Sequence, residues 1–308
     1  ILIRLIGGTP YWSYGLQQVE ALARSRGIVL AVLPGDGFED ARLDAASTVP
    51  VTALRELAQW CDAGGARAAQ AALAALSQLA GLIDAPARTC DPLPMAGGWH
   101  PGFGVVDPEA FVRDPARPLV LIVFYRSYLT AHDLDPFAAL HTAFEQRGFD
   151  ALSIFVPSLK APQVREQVDR WVRGLGPAAI INATAFSARG DDGATPLDGA
   201  GVPVFQLALA TSGRAGWAAA SRGLSPADIA MHVVLPEIDG RVFAGIASFK
   251  EAGTRDPALG FARTIHRADA GRVGAITARV AGWIALAQTP VAERRVALVL
   301  YTYPGKTY

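Results

Sequence analysis

Seven residues in this chain carry groups that could bind a ligand: Arg126, Ser127, Asn182, Thr184, Phe186, Arg189 and Gln206. The arginines offer a planar fork of donors that matches a carboxylate. The amides and hydroxyls give directional hydrogen bonds, and the phenyl ring gives a face. Such a set can bind and orient. It contains no nucleophile with an adjacent base, so it does not by itself describe an enzyme. Each residue lies at or just past the end of an apolar run, or inside one. Arg126 and Ser127 follow "LVLIVFY" (119–125), Asn182 and Thr184 close "AAIINAT" (178–184), and Phe186 and Arg189 begin the next loop. Gln206 interrupts the apolar "VPVFQLAL" (202–209), and Ser158 and Lys160 follow "ALSIFVP" (151–157) in the same way. The competing explanation is an ordinary polar loop whose arginine pairs with a neighbouring carboxylate.

Other chemistries find little support. "GGTPYW" matches neither G-x-G-x-x-G nor a Walker loop, and "GKT" at 305–307 lacks the upstream glycine of a Walker loop. "ARGDDGATP" is acidic and would repel phosphate. The histidines, His100, His132, His141, His232 and His266, form no H-x-x-x-H or H-x-x-E pair, so no metal ligand set is expected. Asp133 and Asp135 read as first-turn helix acids, and Asp191-Asp192 before Gly193 reads as a turn. A G-x-S-x-G nucleophile elbow is absent.

Strand ends converge on a ligand only in a parallel sheet, and the surrounding pattern predicts one. Residues 1–33 read as strand, helix, strand: "ILIRLIGG", a helix opened by Pro10 and ended by Gly27, then "IVLAVLPGDG". Two helices follow, about 50–62 and the alanine-rich 66–80. From Leu119, strands 119–125, 151–157, 178–184 and 202–209 lack polar alternation, as strands covered on both faces do. Stripes of Phe137, Leu140 and Phe144, and of Val164, Val168, Trp171 and Val172, mark helices between them. Ser225 and Pro226 start a helix, Asp239-Gly240 reads as a hairpin turn, and a last helix (about 270–287) leads to a buried strand at 296–300. The expected fold is α/β: two Rossmann-like or flavodoxin-like units with mostly parallel sheets, plus a β-hairpin. The expected boundaries are an N-proximal unit 1–95 with alanine-rich helices, a Pro/Gly-rich linker 96–118, and a second unit 119–308 leading into further domains.

Composition narrows the classes. The 308 residues are 51% hydrophobic and 18% charged, with 28 basic against 28 acidic side chains, which disfavours nucleic acid or an anionic membrane as partner. Cys61 and Cys90 have no CxxC spacing and predict no disulfide. The longest apolar run, 119–125, is far below the roughly 20 residues of a membrane span, and no signal peptide is visible, so cytoplasm is expected. The opening on Ile1 inside a strand is read as that of an internal piece of a longer polypeptide.

Taken together and in order, "VFYRSYLTAHDLDPFAALHTAFEQRGFDALSIFVPSLKAP", "NATAFSARGDDGATPLDGAGVPVFQLALA" and "LSPADIAMHVVLPEIDGRVFAG" resemble the large subunits of aerobic cobaltochelatases (the CobN type) and, more distantly, of magnesium chelatases. "RLIGGTPYWSYGLQQV" is similar to an earlier part of the same subunits. The resemblance implies an N-proximal fragment of an ATP-dependent metal insertase that forms nitrogen–metal bonds. Its large subunit holds a tetrapyrrole, hydrogenobyrinic acid a,c-diamide, into which Co²⁺ is inserted as substrate during cobalamin biosynthesis. ATP and Mg²⁺ belong to AAA+ ATPase partner subunits, in keeping with the missing Walker loop. A segment of the form HG-x-x-E-x-x-PGK, associated with metal insertion in this family, has no counterpart here; "YPGK" at 303–306 is a different element. The resemblance therefore implies that the fragment alone is inactive and assigns no catalytic residue. The seven residues above become candidate contacts to the tetrapyrrole. The alternatives are a magnesium-chelatase-type porphyrin subunit and a non-catalytic docking module for the ATPase.

Overall fold

The computed structural model describes residues 1–35, 39–84 and 93–299. Cys90 and the segment "YPGK" lie outside the described residues, as does the end of the strand expected at 296–300. The chain divides into two compact units, Ile1–Met95 with Arg126–Asp133, and Ala96–Tyr125 with Leu134–Tyr308.

The first unit is built on one βαβ turn. Strands β1 (Leu2–Leu5) and β2 (Ala31–Pro34) pair in parallel, Leu2 opposite Ala31. Between them run a short α1 (Gly8–Tyr11) and the longer α2 (Ser13–Arg26). Gly27 ends α2 in the left-handed region at φ 64°, its N–H donating to the Ala23 carbonyl, the C-terminal stop that glycine permits. Side chains alternate across β2. Leu30 and Val32 pack with Leu16, Ala23 and Leu43, whereas Ala31 and Leu33 pack with Leu54, Leu57, Ala72 and Ala75. Both faces are thus covered, by α2 and α3 (Ala41–Ala46) on one side and by α4 (Val51–Ala63) and α5 (Gly65–Leu79) on the other. The buried stripe of α5 is all alanine: Ala68, Ala71, Ala72 and Ala75. Small side chains at that spacing let a helix approach closely at little entropic cost. The unit is completed by α6 (Arg126–Thr130), contributed from later in the chain.

The second unit is an eight-stranded sheet. Its strands are β3 (Gly97–His100), β4 (Gly104–Val106), β5 (Leu119–Tyr125), β6 (Asp150–Val156), β7 (Ala179–Asn182), β8 (Val204–Ala210), β9 (Val242–Asp256) and β10 (Phe261–Ala268). The spatial order is β10-β9-β8-β7-β5-β6-β3-β4. The five central strands are parallel, and β10, β3 and β4 join antiparallel at the edges. Counted from β5, the parallel strands lie in the order 2-1-3-4-5, the flavodoxin-like doubly wound arrangement. Helix α7 (Asp135–Glu145) connects β5 to β6, and α8 (Pro162–Leu175) connects β6 to β7. Leu119, Leu121 and Val123 pack against Val164, Val168, Trp171 and Val172 of α8. Phe124 stacks on Phe137 of α7 at 4.1 Å between ring centres. The α/β class and the parallel sheet therefore stand as read from the sequence.

Three expectations are corrected. Residues 97–106 are the paired strands β3 and β4, not linker. Gly98 serves close approach rather than looseness: a Cβ there would lie 2.8 Å from the Val106 carbonyl oxygen. Asp239-Gly240 is not a hairpin turn. After α9 (Arg214–Ala219), helix α10 (Pro226–Ile229) starts at Ser225, whose Oγ accepts the Asp228 N–H. It runs through a π-turn at Ala230–Val234 into α11 (Leu235–Glu237), and Asp239 follows at its end. The hairpin lies one element later, between β9 and β10. Helix α12 (Ala270–Gln288) is as expected, but Val296, Leu298 and Val299 after it are exposed and outside any strand. Among the described residues no helix is long and apolar enough to cross a membrane.

Candidate functional site

In a 2-1-3-4-5 sheet the connections leave β5 and β7 in opposite directions, so their carboxyl ends open a crevice. A cavity of about 340 Å³ lies there, lined by Tyr125 at the end of β5, by Ser158, Leu159 and Lys160 after β6, and by Thr184–Ala188 after β7.

Its floor is a buried polar network. The Asn182 amide donates to Gln206 Oε1 at 2.7 Å, and the Gln206 amide donates to the Thr184 carbonyl at 2.8 Å. Thr184 Oγ1 donates to Asn182 Oδ1 at 2.9 Å. Arg241 adds an Nη1 hydrogen to Gln206 Oε1 at 3.0 Å, and its Nη2 lies 2.8 Å from Asp239 Oδ2. That ion pair is 2% and 0% exposed. Asp239 also accepts from Ser187 Oγ and from the Ala188 N–H. Burial pushes the Arg241 guanidinium down from its ordinary pKa while Asp239 opposes the shift. Arg241 Nη2 is buried with only this ion-pair contact and no hydrogen-bond partner, while the remaining bonds of the network hold the loop above it.

That loop is held in a costly conformation. Phe186 has φ 65°, in the left-handed region that non-glycine residues seldom occupy. It is pinned from both ends, its N–H donating to the Met231 carbonyl at 2.9 Å and its own carbonyl facing Arg241 Nη1 at 3.5 Å. The effect is to display a half-exposed ring at the cavity rim. The Tyr125 hydroxyl donates to the Ala185 carbonyl at 2.9 Å, and burial pushes its phenol upward, so it stays a protonated donor. Lys160 and Arg189 are exposed beside this loop. The arrangement combines an apolar face, hydroxyls and rim cations over a rigid floor. Such a set can grip and orient a ligand.

Of the seven residues singled out in the sequence, Asn182, Thr184, Gln206 and Phe186 come together here, with Arg189 on the adjoining loop. Arg126 and Ser127 do not. They open α6, in the first unit. The Arg126 guanidinium, 9% exposed, donates to the carbonyls of Ala63 at 2.6 Å, Leu93 at 3.0 Å and Pro94 at 2.9 Å. Nε and Nη2 are thus engaged by backbone carbonyls, and burial lowers its pKa. Sequence reading missed Arg241 and Asp239, which lay inside the supposed hairpin. The available signal was two opposite charges flanking a glycine beside apolar runs.

The comparisons with known proteins agree with the fold. Residues 58–307 match the family model described as CobN/Magnesium Chelatase. The chain is 33% identical to the aerobic cobaltochelatase subunit CobN of Sinorhizobium sp. and 34% identical to that of Pseudomonas aeruginosa. Each match covers 99% of this chain and 25% of the relative. It is 27% identical, over 92% of its length, to the chloroplastic magnesium-chelatase subunit ChlH of rice, covering 21% of that protein. Among solved structures, the catalytic subunit of cobaltochelatase from Mycobacterium tuberculosis superposes with a TM-score of 0.72 at 25% identity, over 96% of this chain and 24% of that one. The chain thus spans about a quarter of the length of these relatives. With the matched region extending over most of its residues, the chain belongs to the CobN/magnesium chelatase family.

Proposed function

We propose that this chain is a tetrapyrrole-holding part of a cobaltochelatase large subunit, acting in aerobic cobalamin biosynthesis. In this reading the crevice between β5 and β7 takes an acidic side chain at the rim of hydrogenobyrinic acid a,c-diamide. Co²⁺, the substrate metal, is inserted with residues outside these 308, and ATP is hydrolysed with Mg²⁺ on AAA+ partner subunits.

The observation that carries the reading is the built crevice: a hydrogen-bonded buried floor, Phe186 turned out at the rim, and Lys160 and Arg189 exposed on the adjoining loops. A cavity of about 340 Å³ is at the small end of ligand sites, which span about 300–1,000 Å³. That fits a carboxylate side chain and one ring edge better than a whole macrocycle. A cobalt-type substrate is favoured over a magnesium-type one by the higher identity to CobN proteins, 33% and 34%, than to ChlH, 27%.

Equilibrium titration of the full-length chain with hydrogenobyrinic acid a,c-diamide tests this. Lys160→Ala and Arg189→Ala should each weaken binding about three- to tenfold, which is about 0.7–1.4 kcal/mol, and more so at low salt. If both variants bind as the parent does, the crevice does not hold the tetrapyrrole, and docking of the ATPase becomes the better account of it. Tighter binding of protoporphyrin than of the corrin precursor would instead point to the magnesium type.

A further inference from the structure

A second constellation in the second unit is absorbed neither by the crevice nor by the packing. His100 is the last residue of β3, and His141 and Glu145 stand one turn apart on α7. One ligand atom from each of the three lies within 4.8 Å of the others. His100 Nε2 is 3.4 Å from Glu145 Oε1. A tetrahedral centre with bonds of about 2.0–2.2 Å sets its ligand atoms about 3.3–3.6 Å apart, so this pair already stands at coordination spacing.

His141 supplies the independent observation. It is fully buried, and its Nε2 is 2.9 Å from Ser153 Oγ, also fully buried. Its Nδ1 is buried with no hydrogen-bond partner. When the Nε2 hydrogen is donated to Ser153, Nδ1 presents a lone pair with nothing to accept. Metal-bound histidines are held in this way, one nitrogen oriented by a neighbour and the other left for the ion. Trp99, edge-on at 5.7 Å, packs against the same ring. A cavity of about 310 Å³ opens beside His100 and Glu145, with room for water at a remaining coordination position.

We propose that His100, His141 and Glu145 form a binding site for one divalent transition-metal ion of the zinc and cobalt class, with an open position toward this cavity. Two imidazoles and a carboxylate suit such ions rather than Mg²⁺ or Ca²⁺. Occupancy asks for modest adjustment. Glu145, with its side chain 44% exposed, swings inward while His141 stays fixed. The His100 proton moves from Nε2 to Nδ1, which gives up the exposed Gly102 N–H contact at 3.1 Å. Arg117 lines the same cavity, but its charge is offset by Asp150 at 3.2 Å.

The test is metal binding by the full-length chain without tetrapyrrole. Metal-stripped parent, His100→Ala and Glu145→Gln proteins are dialysed against Co²⁺ or Zn²⁺ alone, with bound ions counted and the Co²⁺ visible spectrum recorded. Each variant should bind one ion per chain fewer than the parent, or bind it at least tenfold more weakly, and lose the matching four-coordinate absorption. Both replaced side chains are partly exposed. Far-UV circular dichroism identifies any variant that fails to fold, and the other variant then decides. Equal ion counts, affinities and spectra in parent and variant would overturn the site and leave His100 and Glu145 as a plain ion pair. Metal binding is read without tetrapyrrole, so it stands or falls separately from the crevice.

Discussion

Phe186 combines display with strain. A left-handed conformation costs a non-glycine residue about 1–2 kcal/mol, and here a backbone bond to Met231 and the Arg241 network hold it in place. Phe186→Gly removes the strain and the aromatic face together. Folding stability in urea should hold or rise by about 1 kcal/mol, while affinity for the tetrapyrrole falls at least fivefold. Stability and affinity falling together would make the ring part of the scaffold instead. Half of this site was legible in the sequence. Asn182, Thr184 and Gln206 were picked out as ligand contacts in or at the ends of strands, whereas the structure buries Asn182 and Gln206 as partners of one another beneath the cavity, since polar residues in apolar strands must find partners once buried. Arg241 was not, because its burial depends on a helix end, at Asp239, that reads locally as a turn between strands. The His141 and Glu145 pair was overlooked for a simpler reason: "HTAFE" has the i, i+4 spacing that shares a helix face, but its third ligand comes from a strand 41 positions earlier.

Elements were read best where periodicity was strong. The strands at β5, β6 and β8, and the buried stripes of α7 and α8, are continuous or sharply periodic, and tertiary packing only confirms what they specify. The segment 96–118 was misread because glycine marks both loose chain and tight strand contact, and only the neighbour tells which; at Gly98 the neighbour is Val106. Arg126 shows the same ambiguity for charge. An arginine after a strand can meet a ligand or can satisfy backbone, and this one meets three carbonyls. Arg126→Ala should therefore act on folding. The carbonyls it meets are only partly buried, and losing hydrogen bonds from a charged donor costs about 1–3 kcal/mol, so thermal unfolding should show a first unit weakened by about that much. Arg126→Lys should recover only part of this, since an ammonium cannot span three acceptors in the planar geometry of the fork. An unchanged melting profile would return Arg126 to the list of ligand contacts.

At the scale of the whole molecule, buried histidines set the acid limit. Burial pushes His141 down to about 3, helped by the nearby His100. It pushes His232 down as well, against the opposing pull of Asp228. Both folded values lie below the roughly 6.5 of an unfolded histidine. Below that pH the unfolded chain takes up protons that the folded chain refuses. Stability is thus fully present above about pH 6.5 and falls as pH drops below it, toward 3 in the case of His141, by up to about 1.4 kcal/mol per pH unit for each histidine that refuses its proton. Urea midpoints of metal-free protein at pH 7 and pH 5 should differ accordingly, and His232→Gln should flatten the slope; equal midpoints in the parent would contradict it. One feature of the chain's path bears on how the protein can be dissected. Residues 126–133 belong to the first unit although the chain enters and leaves them from the second. A single scission after Met95 would therefore strand the N-terminal piece without its last helix and leave the carbonyls of Ala63, Leu93 and Pro94 without their guanidinium. Recombinant halves split at that seam inherit the defect, and a faithful first unit requires residues 126–133 to be grafted back onto it.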